Sequence, residues 1–261
     1  MQSIYNSVNS LSQLQRQLDV TGHNIANVDT IGYKRQQGHF ASLLSQAYNN
    51  QPRPEYETGR DTPNGIRIGV GGHVADITQQ FNIGQVRMTE RGLDVFLKAS
   101  RQFFVVQTPN GVGVTRDGSL QLSVGPDATL LADVNGNAML GDDGNPITMP
   151  NDATKHRVRQ DGVVVATVNG VEQEFGRLDL VEVRNTSELR PLGDNVYSVD
   201  LETEVDRPQG NLLMEGTLES SNVDLTKEMT DMTITQRAYQ MNSRALSMSD
   251  QMMGLVTSIR P

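Results

Sequence analysis

The sequence predicts an α+β protein, with long N- and C-terminal helices pairing as a coiled-coil-like layer and a central antiparallel all-β domain. Two observations carry this prediction. Apolar residues recur at every seventh position at both ends of the chain, and Asn-Gly and Asp-Gly dipeptides punctuate the stretch between them. A heptad period is that of helices that wind on one another, whereas Asn-Gly and Asp-Gly tolerate the positive φ angles of tight hairpins.

The N-terminal segment carries Ile4, Leu11, Leu18 and Ile25 in one row, flanked by Val8, Leu14 and Val28. It reads as one amphipathic helix, weakened by Gly22 and ended near Asn27–Thr30, where Asn, Asp and Gly32 supply stop signals. The C-terminal segment carries three rows: Leu225, Met232, Tyr239, Leu246 and Met253; Ile234, Met241, Met248 and Leu255; and Ala238, Ala245, Met252 and Ile259. At about 100° per residue the first row lies on one side of a helix and the other two nearly opposite. A helix on the surface of one domain needs a single apolar stripe. Two opposed stripes describe a helix held between neighbours, other copies of the chain among them. Asp224 is placed as its N-cap, with Glu228 in the first turn facing the positive end of the helix dipole.

Between the helices, residues 49–76 lose all periodicity under Pro52, Pro54, Pro63 and a series of glycines, and read as an extended connector with a short strand at Ile66–Val70. Residues 77–205 are β-rich. Asn110-Gly111, Asp117-Gly118, Asn135-Gly136, Asp143-Gly144, Asp161-Gly162 and Asn169-Gly170 mark reversals. Leu93, Val95 and Leu97 alternate between them, as do Phe103 with Val105 and Phe104 with Val106. Short strands at this spacing describe an antiparallel sandwich or irregular barrel. The expected organisation is an N-terminal helix over 1–34, a connector over 35–76, a β domain over 77–205, a return linker over 206–221 and a C-terminal helix over 222–261.

Composition narrows the function. Hydrophobic residues make up 36% and aromatics 5%, with no Trp, which is little for one core in a chain of 261 residues. Part of the chain is therefore expected to find its burial against partners. Residues 1–35 sum to +1 and residues 222–261 to zero, so the middle carries −10 within the net charge of −9. That speaks against nucleic acid, which selects basic surfaces. Cysteine is absent, which removes disulfides and thiolate chemistry. No basic region followed by an apolar run opens the chain, so no cleavable signal peptide is expected, and no stretch has the apolar length of a membrane span.

Catalytic and ligand motifs are weak throughout. His23, His39, His73 and His156 are scattered away from chelating spacings. Asp133-x-Asn135-x-Asn137 imitates the start of a calcium loop, but Ala138 replaces the sixth-position Gly and Gly144 the twelfth-position Glu, so a turn is the better reading. The glycine groups at 69–72 and 111–118 open no helix and follow no phosphate-binding fingerprint. No catalytic residue, cofactor, metal site or small-molecule substrate is expected.

Two long stretches do carry a specific signal. Asn24-Ile-Ala-Asn-Val-Asp-Thr-Ile-Gly-Tyr-Lys-Arg35 resembles the N-terminal signature of the bacterial flagellar basal-body rod and hook proteins. So does Gly216-Thr-Leu-Glu-Ser-Ser-Asn-Val-Asp-Leu-Thr-Lys-Glu-Met229, continuing into Thr235-Gln-Arg-Ala-Tyr-Gln-Met-Asn-Ser-Arg244. Gly92-Leu-Asp-Val-Phe-Leu97 and Thr115-Arg-Asp-Gly-Ser119 match the family's β domain more loosely. The resemblance covers essentially the whole chain and is strongest to the distal-rod type, whose extra loop corresponds to residues 50–65.

This resemblance implies a structural subunit, exported unfolded by the flagellar export apparatus and polymerised through its terminal helices into a hollow helical tube that transmits torque and conducts later subunits. The implied partners are further copies of the chain and other rod and hook proteins, and the implied location is the flagellar basal body. Hook or hook–rod junction proteins of the same family are the alternative, and a secreted cell-wall-acting enzyme or adhesin a remote one. Carried onto this chain, the subunit interface comprises Ile4, Leu11, Leu18, Ile25, Asn27, Gly32, Tyr33, Leu225, Met232, Arg237, Ala238, Tyr239, Asn242, Leu246 and Met253. On this reading Thr233, Gln240, Ser247, Thr235, Asn242 and Ser249 face a wet channel.

Overall fold

Strand Gln102–Thr108 organises the β-rich part of the chain because both of its faces are buried. Phe104 and Val106 point into one core with Leu93, Val95, Leu97, Leu120, Leu131 and Met139. Phe103 and Val105 point into a second, with Phe81, Val114, Val181, Val183 and Tyr197. The alternation read from the sequence thus serves two cores at once. In the second, Phe81 stands edge-on to Phe103 and to Tyr197 at centroid distances of 5.4 and 5.5 Å. Each such side chain contributes roughly 1.5–3 kcal/mol on full burial.

The computed structural model describes residues 2–42, 45–48, 66–69, 72–109, 111–126, 128–199, 205–208, 210 and 212–259, and, among these, side chains from 6 to 39 and from 76 to 255. The loop at 50–65, Val70 and the side chains of Ile4 and Ile259 lie outside that description. Two compact units emerge: a β unit of Ala26–Arg35 and Gln79–Asp224, and a helical unit of Met1–Ile25, Gln36–Thr78 and Leu225–Pro261. The fold is α+β, with two long helices and antiparallel sheet, as the sequence predicts.

In the β unit, Gln102–Thr108 pairs antiparallel with Gly111–Thr115 and also with Ala138–Met139 and Leu180–Val183. Val196–Ser198 continues the sheet beyond Gly111–Thr115, and Arg190–Gly193 follows it. A separate antiparallel three-stranded sheet joins Thr154–Val158, Val163–Val168 and Val171–Arg177. The reversal at Asn169-Gly170 has both φ angles positive, at 52° and 80°, and sets Val168 opposite Val171.

Asp117-Gly118 departs from the hairpin expectation. Gly118 lies where a Cβ would stand 1.8 Å from the carbonyl oxygen of Val95. This glycine therefore permits close passage of two backbone segments rather than a reversal. Residues 213–219, expected as return linker, form two strands, Leu213–Glu215 on Val95–Leu97 and Thr217–Glu219 on Val86–Met88.

In the helical unit, α1 spans Gln2–Ala26 and α2 spans Leu225–Ile259, 35 residues. The chain turns immediately after α1, where the backbone carbonyl of Asn27 accepts from Thr30 N–H at 3.3 Å and its Oδ1 from the Thr30 hydroxyl at 3.1 Å. The stretch expected as an extended connector contains paired strands. Gln36–Ser42 pairs with Gly72–Gln79, and Ser45–Tyr48 pairs antiparallel with Ile66–Gly69. Strands such as Gln36-Gln-Gly-His-Phe-Ala-Ser42 carry too few apolar residues for alternation to announce them.

Candidate functional site

The two long sequence motifs meet in each unit, around buried polar groups. In the β unit the meeting point is Glu219, from the strand Thr217–Glu219. Its carboxylate takes Lys34 Nζ at 2.6 Å on Oε1, and Arg116 Nε and Nη2 at 2.9 and 2.8 Å on Oε2. All three side chains are buried, with relative exposures of 0%, 0% and 2% for Lys34, Arg116 and Glu219.

Backbone groups take up further hydrogen-bonding capacity of the three side chains. Gly84 N–H donates to Glu219 Oε1 at 2.9 Å, and Lys34 Nζ donates to the carbonyl of Asn82 at 2.9 Å. Arg116 Nη1 donates to the carbonyls of Ala99, Ser100 and Gln102 at 3.0, 2.8 and 2.8 Å. The guanidinium carbon of Arg116 also lies 5.6 Å from the centroid of Phe103. A buried ion pair survives only when its remaining hydrogen-bonding sites are matched in this way. Burial and then Arg116 draw the Lys34 ammonium down to about 8, against the pull of Glu219. Burial acts to raise the Glu219 carboxyl, but Arg116 and Lys34 outweigh it and hold the group below its ordinary value.

Neighbouring residues of both motifs close the same region. Gly32 N–H donates to the carbonyl of Glu219 at 2.9 Å, and Arg35 N–H to Asn222 Oδ1 at 2.7 Å. Asn222 Nδ2 in turn donates to the carbonyls of Gln80 and Asn82 at 2.7 and 3.1 Å. Gly32 has φ +69°, and a Cβ there would meet the backbone of Arg116 and Asp117 at 3.0 Å. Gly32 and Tyr33 are buried inside the β unit, and Asn27 shapes the turn after α1.

In the helical unit the meeting point is Asn24. Its Nδ2 donates to the carbonyl of Gln36 at 2.9 Å and to Glu228 Oε2 at 3.2 Å, while its Oδ1 accepts Gln36 N–H at 2.9 Å. Asn24 and Glu228 are 1% and 2% exposed. The most buried positions of α1 are Gln13, Val20, Thr21 and Asn24, whereas Leu11, Leu18 and Ile25 are half-buried beside them.

On α2 the covered row is polar. Glu228 and Thr235 are buried, and Asn242 and Ser249, at the same heptad positions, are half-buried. Thr235 and Ser249 return their hydroxyls to the carbonyls of Asp231 and Ala245 at 2.7 and 2.9 Å, which lets them sit inward. The row Thr235, Asn242 and Ser249 therefore does not face solvent here, while Thr233, Gln240 and Ser247 do. Met232, Ala238 and Leu246 are half-buried, and Leu225, Arg237, Tyr239 and Met253 are exposed. Ile234, Met241, Met248 and Leu255 form an exposed apolar stripe, at 61%, 67%, 57% and 63%.

Other candidate chemistry is accounted for locally. Asp133 Oδ1 accepts the N–H groups of Asn135 and Asn137, both at 2.8 Å, so the calcium-like segment is a turn closed by its own carboxylate. A cavity of about 100 Å³ is lined by Asp142, Arg177, Leu178, Asp179, Leu180, Arg207 and Pro208. Arg207 and Asp179 pair across it at 3.1 Å. Among the described residues no group of three His, Asp or Glu side chains is placed to hold a metal.

Two helices from the chain ends, an antiparallel β unit and interlocked terminal motifs define a structural class of protein, and comparison with known proteins gives the family. Residues 4–34 match the family described as flagella basal body rod protein, 100–166 the flagellar hook protein FlgE/F/G D1 domain, and 214–259 the flagellar basal body rod FlgEFG protein C-terminal. The chain is similar to the flagellar hook-basal body complex protein FlhP of Bacillus subtilis, at 31% identity over all of both chains. It is 32% identical to the flagellar basal-body rod protein FlgG of Buchnera aphidicola from Acyrthosiphon pisum, over 96% of each chain. FlgG of B. subtilis is 29% identical over 100% of this chain and 99% of its own.

The chain belongs to the flagellar basal-body rod and hook family and most resembles its distal-rod, FlgG-type members. It is a structural protein of the flagellar basal body. No helix among the described residues is long and apolar enough to cross a membrane. Sequence reasoning reached this family through its motifs but did not single out Asn24, Lys34, Arg116 or Glu219, and read Glu228 only as a first-turn partner of the helix dipole. All five lie within the quoted stretches.

Proposed function

We propose that the chain polymerises through its terminal helices into a hollow helical tube of the rod, with α1 and α2 pairing as a coiled-coil-like layer. The observation that carries this reading is the stripe Ile234, Met241, Met248 and Leu255, more than half exposed along four successive heptads. Large contiguous apolar surface on a water-soluble chain marks an interaction site. Met supplies much of it, a side chain that conforms readily to a neighbouring helix.

Further copies of this chain and other rod and hook proteins are the partners on this reading, and the flagellar export apparatus delivers the chain unfolded. The subunit has no catalytic role. Exposed Thr233, Gln240 and Ser247, uncharged and on a different side of α2 from the stripe, suit a face that passing chains do not adhere to. The decisive experiment images the concentrated, purified full-length protein by electron microscopy. Straight tubes support the proposal, and a chain that stays monomeric at every concentration, alone and with rod extracts, overturns it.

A second reading makes the subunit a hook or hook–rod junction protein of the same family, supported by the match of residues 100–166 to the flagellar hook protein FlgE/F/G D1 domain. Curved tubes instead of straight ones would decide for that reading.

A further inference from the structure

Among the described residues, Glu219 is the only anion in direct contact with two buried cations, Lys34 and Arg116, that come from far away in the sequence. Lys34 lies 185 residues before it and Arg116 103 before it. Among the described residues, the other hydrogen-bond acceptors of the two cations are backbone carbonyls, of Asn82, Ala99, Ser100 and Gln102. Carbonyl dipoles orient a cation but do not neutralise it, and an uncompensated buried charge costs several kcal/mol. Without Glu219 the site would place an ammonium and a guanidinium beside each other out of water.

The same short segment closes the surrounding backbone. Glu219 offers its carbonyl to Gly32, Ser220 donates its N–H to Gln85 at 2.9 Å, and Asn222 spans Arg35, Gln80 and Asn82. The carbonyl of Arg35 accepts Gln80 N–H at 2.9 Å. Beside this strap, Gly84 leaves no room for any other residue, since a Cβ would stand 2.0 Å from the carbonyl oxygen of Ser220.

We propose that residues 219–222 act as a folding interlock: the turn at 26–35 docks onto the β unit only when Glu219 arrives to neutralise Lys34 and Arg116. The head of the chain thus stays undocked until more than four-fifths of the sequence is available, so the order of docking is fixed by charge and not by order of synthesis. This holds whether or not the chain polymerises as proposed above, and its tests read folding alone.

Hydrogen exchange on the full-length protein provides the first test. Glu219→Gln keeps shape and removes charge, and it is expected to lower protection of the Gly32 and Gln80 amides by at least about tenfold, while amides of the hairpin 163–177 stay protected. Adding Lys34→Met removes one of the two cations and is expected to restore most of that protection. If E219Q does not fold at all, the double variant must fold with protection near wild type. Unchanged protection in E219Q, or a double variant as damaged as or worse than E219Q, overturns the proposal.

Pulse-labelled refolding of the wild type provides the second test. The Gly32 and Gln80 amides are expected to gain protection together with Ser220 or after it. Protection of Gly32 and Gln80 in advance of Ser220 overturns the interlock.

Discussion

Asn24 and Gln36 exchange two hydrogen bonds, each 2.9 Å long, in which the Asn24 side-chain amide plays the part of a strand neighbour to the Gln36 main chain. One carboxamide thereby satisfies both backbone groups of the residue that opens the strand Gln36–Ser42. The same Nδ2 reaches Glu228 in the first turn of α2. Only Asn or Gln has both an acceptor and two donors for this, and Gln is one methylene too long.

Asn24→Asp is accordingly expected to be far more damaging than its size suggests. The new carboxylate would face the carbonyl of Gln36 and the carboxylate of Glu228 at positions where donors now stand. A loss of about 2–3 kcal/mol follows from the buried unsatisfied acceptor and the like charge. Thermal unfolding followed by circular dichroism at 222 nm measures it, with Asn24→Ala expected to be milder at about 1–2 kcal/mol.

Gly32→Ala tests the docking of the first motif. At φ +69° an L side chain is strained, and its Cβ would press on the Arg116 and Asp117 backbone at 3.0 Å. The neighbours are main-chain atoms of a buried segment, so they have little room to yield. Destabilisation of about 2–3 kcal/mol is expected, combining the left-handed penalty with the contact, and urea unfolding reads it as a lower midpoint.

Asp117 supplies a pH dependence. Burial raises its carboxyl to about 6, opposed by the Ser119 amide and reinforced by Asp133 and Asp94. Between 3.8, its ordinary value, and about 6 the folded state holds more of this proton than the unfolded chain does. Its contribution to stability therefore falls as pH rises through that window and is level above it. Asp117→Asn keeps an acceptor for Ser119 N–H without the charge. It is expected to raise stability at pH 7 by up to about 3 kcal/mol and to leave it unchanged near pH 3.5. Paired urea titrations at the two pH values check this, and equal effects at both would sink it.

How far the sequence could be read depended on the range of the signal. Repeats of seven and Asn-Gly turns are local, so both helices and reversals such as Asn169-Gly170 were legible. The family motifs were legible too, but not what they do for the fold. Lys34, Arg116 and Glu219 are residue types ordinarily found at the surface, and nothing local distinguishes a charge that will be neutralised by a residue 185 positions away. Asp117-Gly118 has the composition of a turn but is set by close passage to Val95, a tertiary constraint. On α2 the heptad rows did not indicate that Thr235 is buried and Asn242 and Ser249 half-buried within the chain. Thr235 and Ser249 can turn inward because their hydroxyls bond to their own helix.

The exposed stripe of α2 gives the prediction that separates assembly from stability. Ile234, Met241 and Met248 are 57–67% exposed, so replacing them with Asn, Gln and Gln removes little burial within the chain. Each change is expected to alter unfolding free energy by no more than about 0.5 kcal/mol, as surface substitutions do. Covering the stripe in an assembly would instead bury several large side chains per subunit, each worth about 1 kcal/mol from this degree of exposure. Repeated in every subunit, that sum decides whether a tube persists. The triple variant is expected to match wild type in circular dichroism and urea midpoint, yet to sediment as a monomer and fail to restore swimming to a strain lacking the protein. A control at Thr233 and Ser247, both changed to Ala on a different exposed side, should still form tubes. Loss of tubes in that control as well would show that assembly depends on the whole helix surface and not on the stripe.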